Sequence, residues 1–329
     1  MGTDTTDPVI PLDAELLGDL PVGVDSAVWE VHGAAPVDST AVLENVGPHH
    51  VKRGRRRGQV VQEGYLDNLK VWVTEDPSTI VMGSHAKYLL GQNGRLLGPD
   101  GLGAAVVRAA DRLDLPFDQV RIGSVYSVHV ASDLPTDRPP VDYLTAMVEA
   151  PRLRRRELGP ASVVFAEKSR RRELAGYDKG LEMGDPDGPY RLRLEARFLG
   201  KIGRRFGQVV FVEDLWDRQF TARLVEAWRD EFLAVRVEDV PLFPPDATPA
   251  VLRKYLARES LSAPGAARVL AMIDANRASG RVSTRRASGQ RAAVRDLLSD
   301  ATLNGPSALA DELRDEIRDA ARTALSQLH

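Results

Sequence analysis

Residues 190–197 read Tyr-Arg-Leu-Arg-Leu-Glu-Ala-Arg, a run in which charged and apolar side chains alternate. The charged residues Arg191, Arg193, Glu195 and Arg197 occupy every second position. Because successive side chains of a β-strand point to opposite faces, the run predicts a strand with one charged and one apolar face. Arginine presents a planar fork of N–H donors that matches phosphate, so the charged face suits a phosphodiester held near a metal. A solvated sheet face is the alternative interpretation.

Hydrophobic periodicity on both sides of this run predicts further strands and helices. Together they indicate an α+β fold with a mainly antiparallel central sheet flanked by helices, and we assign it to residues 61–240. The predicted strands cover residues 65–73, 79–82, 120–130, 161–166, 172–177, 190–198 and 208–212, and the predicted helices cover 101–115, 139–153 and 212–235.

The two ends of the chain have a different composition. Residues 1–50 contain nine Asp or Glu and no Lys or Arg, and a basic run follows at 51–58. We therefore expect residues 1–60 to be an acidic, then basic, N-terminal arm that is partly disordered. Residues 241–329 open with several prolines and continue with Ala, Arg and Leu at helical spacing, which predicts a C-terminal helical module that could bind DNA.

Charge and composition restrict the class of protein. The formal net charge is −3, yet residues 151–206 hold fifteen Lys or Arg against eight Asp or Glu. Local potential, more than net charge, attracts a nucleic acid, so this zone is a candidate DNA-binding surface. The chain has no cysteine, which excludes disulfides and thiol nucleophiles. It also lacks an apolar run of membrane-spanning length, and we expect a cytoplasmic protein.

Several short motifs occur in a fixed order. Residues 83–93 read Gly-Ser-His-Ala-Lys-Tyr-Leu-Leu-Gly-Gln-Asn, residues 169–171 read Ser-Arg-Arg, and residues 176–182 read Gly-Tyr-Asp-Lys-Gly-Leu-Glu. Residues 193–195 add Arg-Leu-Glu. Taken in this order, the motifs resemble those of the phage and plasmid replication initiation factor family, the filamentous-phage gene II type, over roughly residues 60–240.

The resemblance implies a fold related to HUH endonucleases and relaxases, with a tyrosine that attacks a DNA phosphate beside a divalent cation, Mg2+ or Mn2+. Tyr177 matches the nucleophile and Glu195 matches a metal ligand. His129 stands where the family has a strand aspartate, so either His129 or the nearby Asp133 is expected to complete the metal site. Lys179, two residues beyond the tyrosine, is expected on the same strand face, where it would stabilise negative charge on the phenol oxygen.

Nine arginines are expected to contact DNA phosphates, which supply much of the affinity for DNA. They are Arg154, Arg155, Arg156, Arg170, Arg171, Arg172, Arg191, Arg193 and Arg197.

These features predict a rolling-circle replication initiator that nicks and rejoins one strand at the origin through a 5′-phosphotyrosine intermediate. Its expected partners are origin DNA, as a single-stranded or hairpin nick site and as duplex, and a host helicase and polymerase; no membrane partner is expected. The alternative is a non-cleaving replicon-control or transcription factor that reads DNA through a helix-turn-helix in residues 248–295. A structural partner protein, or a family member that has lost nicking, also remains open, as does the oligomeric state.

Overall fold

The computed structural model describes most of the 329-residue chain. The described residues are 19–36, 44–49, 61–92, 94–159, 161–169, 171–185, 188–200, 202–238, 270, 273–274, 277–278, 283–299 and 308–329. No helix within these ranges is long and apolar enough to cross a membrane.

Twelve strands pair in two antiparallel sheets within the described ranges. They are β1 (Asp19–His32), β2 (Glu44–His49), β3 (Val61–Leu66), β4 (Leu69–Thr74), β5 (Ser78–Ser84), β6 (Ser124–Pro135), β7 (Met147–Glu149), β8 (Arg154–Gly159), β9 (Ser162–Ala166), β10 (Arg172–Asp178), β11 (Arg191–Phe198) and β12 (Arg236–Val237). Ten of them form one large sheet in the order β2-β3-β4-β5-β1-β6-β11-β10-β9-β8, and β7 pairs with β12. The centre of the large sheet is therefore built from β1, β6, β11 and β10.

The helices connect or follow these strands, and most are short. They are α1 (His85–Leu90), α2 (Pro99–Arg112), α3 (Phe117–Arg121), α4 (Pro140–Ala146), α5 (Lys179–Met183), α6 (Gly203–Phe206), a 3-10 helix (Val212–Trp216), α7 (Arg218–Leu233), α8 (Thr284–Ser299) and α9 (Ala308–Leu328). The predicted fold class, α+β with a mainly antiparallel sheet flanked by helices, is confirmed.

One face of the large sheet is apolar and packs against helices. The indole N–H of Trp228 in α7 donates to the backbone carbonyl of Leu194 in β11 at 3.0 Å, and both side chains are fully buried. The indole N–H of Trp29 in β1 donates to Nε2 of His85, the first residue of α1, at 3.0 Å. Burial lowers the pKa of His85 to about 4, so this imidazole is neutral and accepts the bond at neutral pH.

The expectation that residues 1–60 form an arm is wrong for residues 19–32, which form the central strand β1, and for residues 44–49, which form the edge strand β2. Val22 and Val24 are buried, and then Ala27 and Trp29 are buried, so the apolar alternation changes phase. A register shift in the pairing with β6 lies between Val24 and Ser26, and such an irregularity inserts one extra residue. This irregularity interrupts the alternation of polar and apolar residues that would identify a strand in the sequence. The basic run at 51–58 lies outside the described residues.

Other elements also differ from the prediction. The helix predicted over 139–153 ends at Ala146, because the next residues form β7 and pair with β12. The strand predicted over 208–212 is reduced to one bridge between Ser124 and Phe211, followed by the 3-10 helix. Strand β8 was not predicted, since three consecutive arginines at 154–156 conceal any alternation of polar and apolar residues.

The chain divides into two compact units, residues 1–237 with 312–329, and residues 238–311. The residues of the C-terminal module expected over 241–329 are thus shared between the two units, with the boundary inside α9. Most of this helix belongs to the first unit, where the Tyr143 hydroxyl of α4 donates to Glu312. Leu313, Ile317 and Ala324 form a buried stripe along α9. In the second unit, residues 284–299, part of which was expected to be a basic turn, form α8; most of residues 248–276 lie outside the described residues.

We expect Ile317→Ala to lower the free energy of unfolding of the first unit by about 2–4 kcal/mol, because it removes buried apolar volume from α9. Arg322→Ala, at an exposed position of the same helix, should change it by less than about 0.5 kcal/mol. Urea denaturation followed by tryptophan fluorescence measures both. Equal effects of the two variants would show that α9 contributes no packing to the first unit.

Candidate functional site

The register of β11 with its two neighbours gathers the charged residues on the face opposite α7. Residues that pair directly across antiparallel strands have side chains on the same face. Three rows of such residues cross β6, β11 and β10 in this order: Asp133–Arg193–Tyr177, Ala131–Glu195–Ala175 and His129–Arg197–Glu173. The predicted nucleophile and the three predicted metal ligands therefore lie on one face of the sheet.

Glu195 is at the centre of this face and is 4% exposed. Its Oε1 accepts from Nδ1 of His129 at 2.9 Å and from Nε of Arg197 at 3.0 Å, and its Oε2 accepts from Nη2 of Arg197 at 3.1 Å. Burial would raise the pKa of this carboxyl, but the bonds from His129 and Arg197 outweigh burial and lower the pKa to about 2. Glu195 is therefore ionised throughout the physiological range.

Tyr177 reaches the same carboxylate from β10. Its hydroxyl donates to Oε2 of Glu195 across 3.5 Å, and its half-buried ring packs against Val164, Ala166 and Ala175. Burial and then the charge of Glu195 raise the pKa of the phenol, and the neighbouring guanidinium opposes them only in part. The phenol is therefore protonated in the free protein.

Arg193 is fully buried beneath this surface. It forms a two-pronged pair with Asp133, with Nη2–Oδ2 at 2.7 Å, and its Nη1 lies 3.4 Å from Oδ1 of Asp25. Burial would lower the pKa of the guanidinium, but these carboxylates raise it, so the charge is permanent. Asp25 was missed in the sequence because it lies at the register shift in β1, within the segment assigned to the arm.

The expectation that Lys179 lies on the strand face of Tyr177 is wrong. Strand β10 ends at Asp178, whose side chain accepts from the backbone N–H of Leu181 at 3.0 Å and thereby caps α5. Lys179 is the first residue of that helix, is fully buried and pairs with Glu182. The Asp-Lys-Gly signature thus ends the strand and starts a helix.

The three predicted ligands do not form a site that fits Mg2+ or Mn2+ in this arrangement. Asp133 is paired with Arg193, whereas Glu195 contacts His129. A carboxylate offers about four lone pairs, and those of Glu195 all face hydrogen-bond donors. Among the residues that the structure describes, no group of three or more His, Asp or Glu side chains could hold a metal ion.

The arginines predicted to contact DNA do not share one surface. Arg154 and Arg156 of β8 are exposed and pair across to residues of the Tyr177 face, and Arg191 is half-buried at the start of β11. Arg193 and Arg197 belong to the buried ion pairs of that face. These five arginines are compatible with the predicted interface.

Two of the other four arginines face the helices. Arg155 faces the helices, where its Nη2 donates to the carbonyl of Leu144 at 3.2 Å. Arg172 also faces the helices and donates from Nη1 to both carboxylate oxygens of Glu231, at 2.7 and 2.8 Å. Arg171 is exposed just before β10, and Arg170 lies outside the described residues.

Aromatic residues extend the Tyr177 face and were not predicted as part of a site. Tyr65 of β3 pairs with Lys70 of β4, and Glu63 pairs with Trp72. The Lys70 ammonium lies 5.2 Å from the Trp72 ring centroid and 6.0 Å from that of Tyr65. The register through β5 and β1 puts these four side chains on the same face as His129. The sequence does contain a signal for them: in the alternation of residues 69–73, Lys70 and Trp72 occupy the positions that point away from the apolar face.

No family model and no curated protein match this chain. Among solved structures, the chain is similar to a rolling circle replication initiator protein from Geobacillus stearothermophilus, at 12% sequence identity and a TM-score of 0.35, over 69% of this chain and 89% of that chain. A TM-score of this size does not establish a common fold. The functional proposal therefore rests on the geometry of the site.

The depressed pKa of Glu195 predicts a specific dependence of stability on acid. A carboxyl whose pKa falls from 4.5 to about 2 on folding stabilises the protein above pH 4.5, and this contribution disappears as the pH falls towards 2. We expect Glu195→Gln to be less stable than the parent at pH 7, and the difference to shrink below pH 4.5, by roughly 3 kcal/mol at most. Urea denaturation at a series of pH values measures this. Parallel stability curves for the two proteins would contradict the assigned pKa.

Proposed function

We propose that this protein initiates rolling-circle DNA replication by nicking and rejoining one strand, with Tyr177 as the nucleophile. The observation that carries the proposal is the contact of the Tyr177 hydroxyl with Glu195 on a sheet face that also holds Arg193 and Arg197. A phenol requires a proton acceptor to attack a phosphate, and the negative charge that develops requires fixed cations. This face supplies both.

In the proposed nicking step, the Tyr177 oxygen attacks the phosphorus of a phosphodiester, and the phenolic proton moves to Oε2 of Glu195. A bond forms between the tyrosine oxygen and the 5′ phosphate, while the bond from phosphorus to the 3′ oxygen breaks. The leaving 3′ oxygen takes up a proton from solvent. Rejoining reverses these transfers, with a 3′ hydroxyl as the attacking group.

The environment of Tyr177 determines when the proton moves. Because burial and Glu195 raise the pKa of the phenol, proton transfer must accompany attack on phosphorus rather than precede it. Glu195 is a weak base in the free protein, since His129 and Arg197 lower its pKa. A DNA phosphate competes with Glu195 for the Arg197 guanidinium, and the carboxylate then becomes a better proton acceptor.

A divalent cation remains part of the proposal only if DNA binding rearranges these ion pairs. Glu195 or Asp133 would have to leave its arginine partner before either carboxylate could take Mg2+ or Mn2+. Cleavage of a labelled oligonucleotide measured with Mg2+, with Mn2+ and with a chelator tests this requirement. Equal cleavage in all three conditions would remove the metal from the proposal.

The rest of the sheet face offers a path for single-stranded DNA. Arg154 and Arg156 are exposed at the β8 end of the sheet, while Tyr65 and Trp72 lie near the β2 end. Single strands bind to surfaces on which cations meet the backbone and aromatic rings stack on unpaired bases. We therefore propose that the strand crosses the sheet over Tyr177, with its bases on the aromatic pair.

Tyr177→Phe should abolish the covalent protein–DNA adduct and leave affinity for a single-stranded oligonucleotide within a few-fold, because only the hydroxyl is lost. The matched control is Tyr190→Phe, a tyrosine that is 44% exposed. Denaturing electrophoresis of a fluorescent oligonucleotide detects the adduct. An adduct that persists in Tyr177→Phe and disappears in Tyr190→Phe would assign the reaction to Tyr190.

Trp72→Ala should weaken single-strand binding about 5- to 100-fold, because stacking of one base contributes about 1–3 kcal/mol. Trp72→Phe keeps a ring and should restore most of the affinity. Phe117→Ala removes a ring that is 40% exposed on α3 and serves as the control. Fluorescence anisotropy measures all three. Unchanged binding by Trp72→Ala would exclude β4 from the DNA path.

One observation favours the second candidate, a DNA-binding protein that does not cleave. Arginines neutralise the two predicted carboxylate ligands, Asp133 and Glu195, and a face built in this way can hold a phosphate without supplying a metal. The oligonucleotide assay separates the two candidates: retarded DNA without an adduct or a shortened product in any of the three conditions supports the second.

A further inference from the structure

A cavity of about 260 Å3 opens on the side of the sheet away from Tyr177, at the end of β10 and β11 where Arg172 pairs with Phe198. Its floor is apolar and includes Phe198 and Ile202. Its walls carry five arginines: Arg152, Arg171, Arg172, Arg204 and Arg205. Two of the five, Arg171 and Arg172, were expected to contact DNA.

The carboxylates around this cavity compensate only part of its charge. Glu231 binds both Arg172 and Arg205, with an Nη2–Oε1 distance of 2.7 Å to Arg205. Glu167 also lines the cavity, where its carboxylate accepts from the hydroxyl of Ser169. Five guanidinium groups against two carboxylates leave an excess of three positive charges. Positive charges this close repel each other, and an anion bound between them would offset the repulsion.

Three of these arginines are available to a ligand. Arg152, Arg171 and Arg204 are exposed, and within the described part of the chain no ion pair involves any of them. Arg152 also has a left-handed backbone, with φ +64°, which is uncommon for a residue other than glycine. Ion pairs hold Arg172 and Arg205 in place, and the Arg205 guanidinium lies 4.8 Å from the Phe198 ring centroid. The cavity therefore combines two anchored guanidinium groups with three free ones.

Phosphate is the anion that fits this arrangement. Guanidinium groups donate paired N–H bonds to phosphate oxygens. Arg172 and Tyr177 are five residues apart on β10, so they point to opposite faces and lie about 17 Å apart along the strand. One short stretch of DNA cannot occupy both positions. DNA bound in the cavity would therefore be a second segment.

We propose that this cavity binds a backbone phosphate of the duplex beside the nick site, as a second DNA contact separate from the Tyr177 face. The proposal rests on the proposed function, which supplies DNA as the source of the phosphate. A free phosphate compound has the same chemistry, and the experiment distinguishes the two sources.

The test compares the full chain with Arg152→Gln/Arg204→Gln, which removes two exposed charges from the cavity. The control is Arg318→Gln/Arg322→Gln, which removes two exposed charges from α9. Duplex binding is measured by anisotropy at several salt concentrations. We expect the cavity variant to lower duplex affinity on the order of tenfold and to reduce the slope of log K against log salt by up to about two, as the loss of two phosphate contacts requires. The control should change neither quantity.

Three other outcomes would decide between the cavity proposal and its alternatives. If the cavity variant matches the control, the proposal is overturned. If it loses pyrophosphate binding measured by calorimetry but keeps its duplex affinity and salt slope, the ligand is a free phosphate compound and the assignment to DNA is overturned. If the full chain forms no tyrosine adduct while the cavity variant still loses duplex affinity, the proposed nicking function fails and the cavity assignment is supported.

Discussion

The pairing register of β11 between β6 and β10 is the constraint on which the rest of the structure depends. A shift of one residue would turn Arg193 and Glu195 towards the helices and expose Leu192 and Leu194. Burial of those leucines against α7 opposes such a shift, since each buried leucine contributes about 1.5–3 kcal/mol. Gly176 allows close packing as well, because a Cβ there would lie 2.8 Å from Leu144 of α4. Packing of the apolar face of the sheet thus fixes the register that places the charged residues on the opposite face.

The polar face carries buried charges that require each other. Arg193 lies between Asp133 and Asp25, and Glu195 lies between His129 and Arg197. Loss of one partner would leave an uncompensated charge in a region of low polarity, at a cost of several kcal/mol. Each charge in the network therefore depends on its partners. The network keeps Tyr177 protonated and holds the two guanidinium groups against their carboxylates.

The sequence predicts the parts of this arrangement that depend on local pattern. Alternation in residues 191–197 predicts the strand and its charged face, and the signature at 176–182 locates Tyr177 beside it. It does not predict β1, because an irregularity shifts the alternation, nor the position of Lys179, because Asp178 caps a helix. Which carboxylate pairs with which arginine depends on the order of strands distant in the chain, and no local pattern contains that information.

The separation between the Tyr177 face and the arginine-lined cavity follows from the same register. Tyr177 and Arg172 are five positions apart on β10, so the strand presents the phenol on one face and the guanidinium on the other. Both positions belong to one hydrogen-bonded sheet, and their distance therefore cannot vary as it would across a flexible linker. Two DNA segments bound at these positions would be held at a fixed spacing. Under the proposed function, this spacing would hold a duplex beside the single strand on the Tyr177 face, and it would come from the central sheet alone.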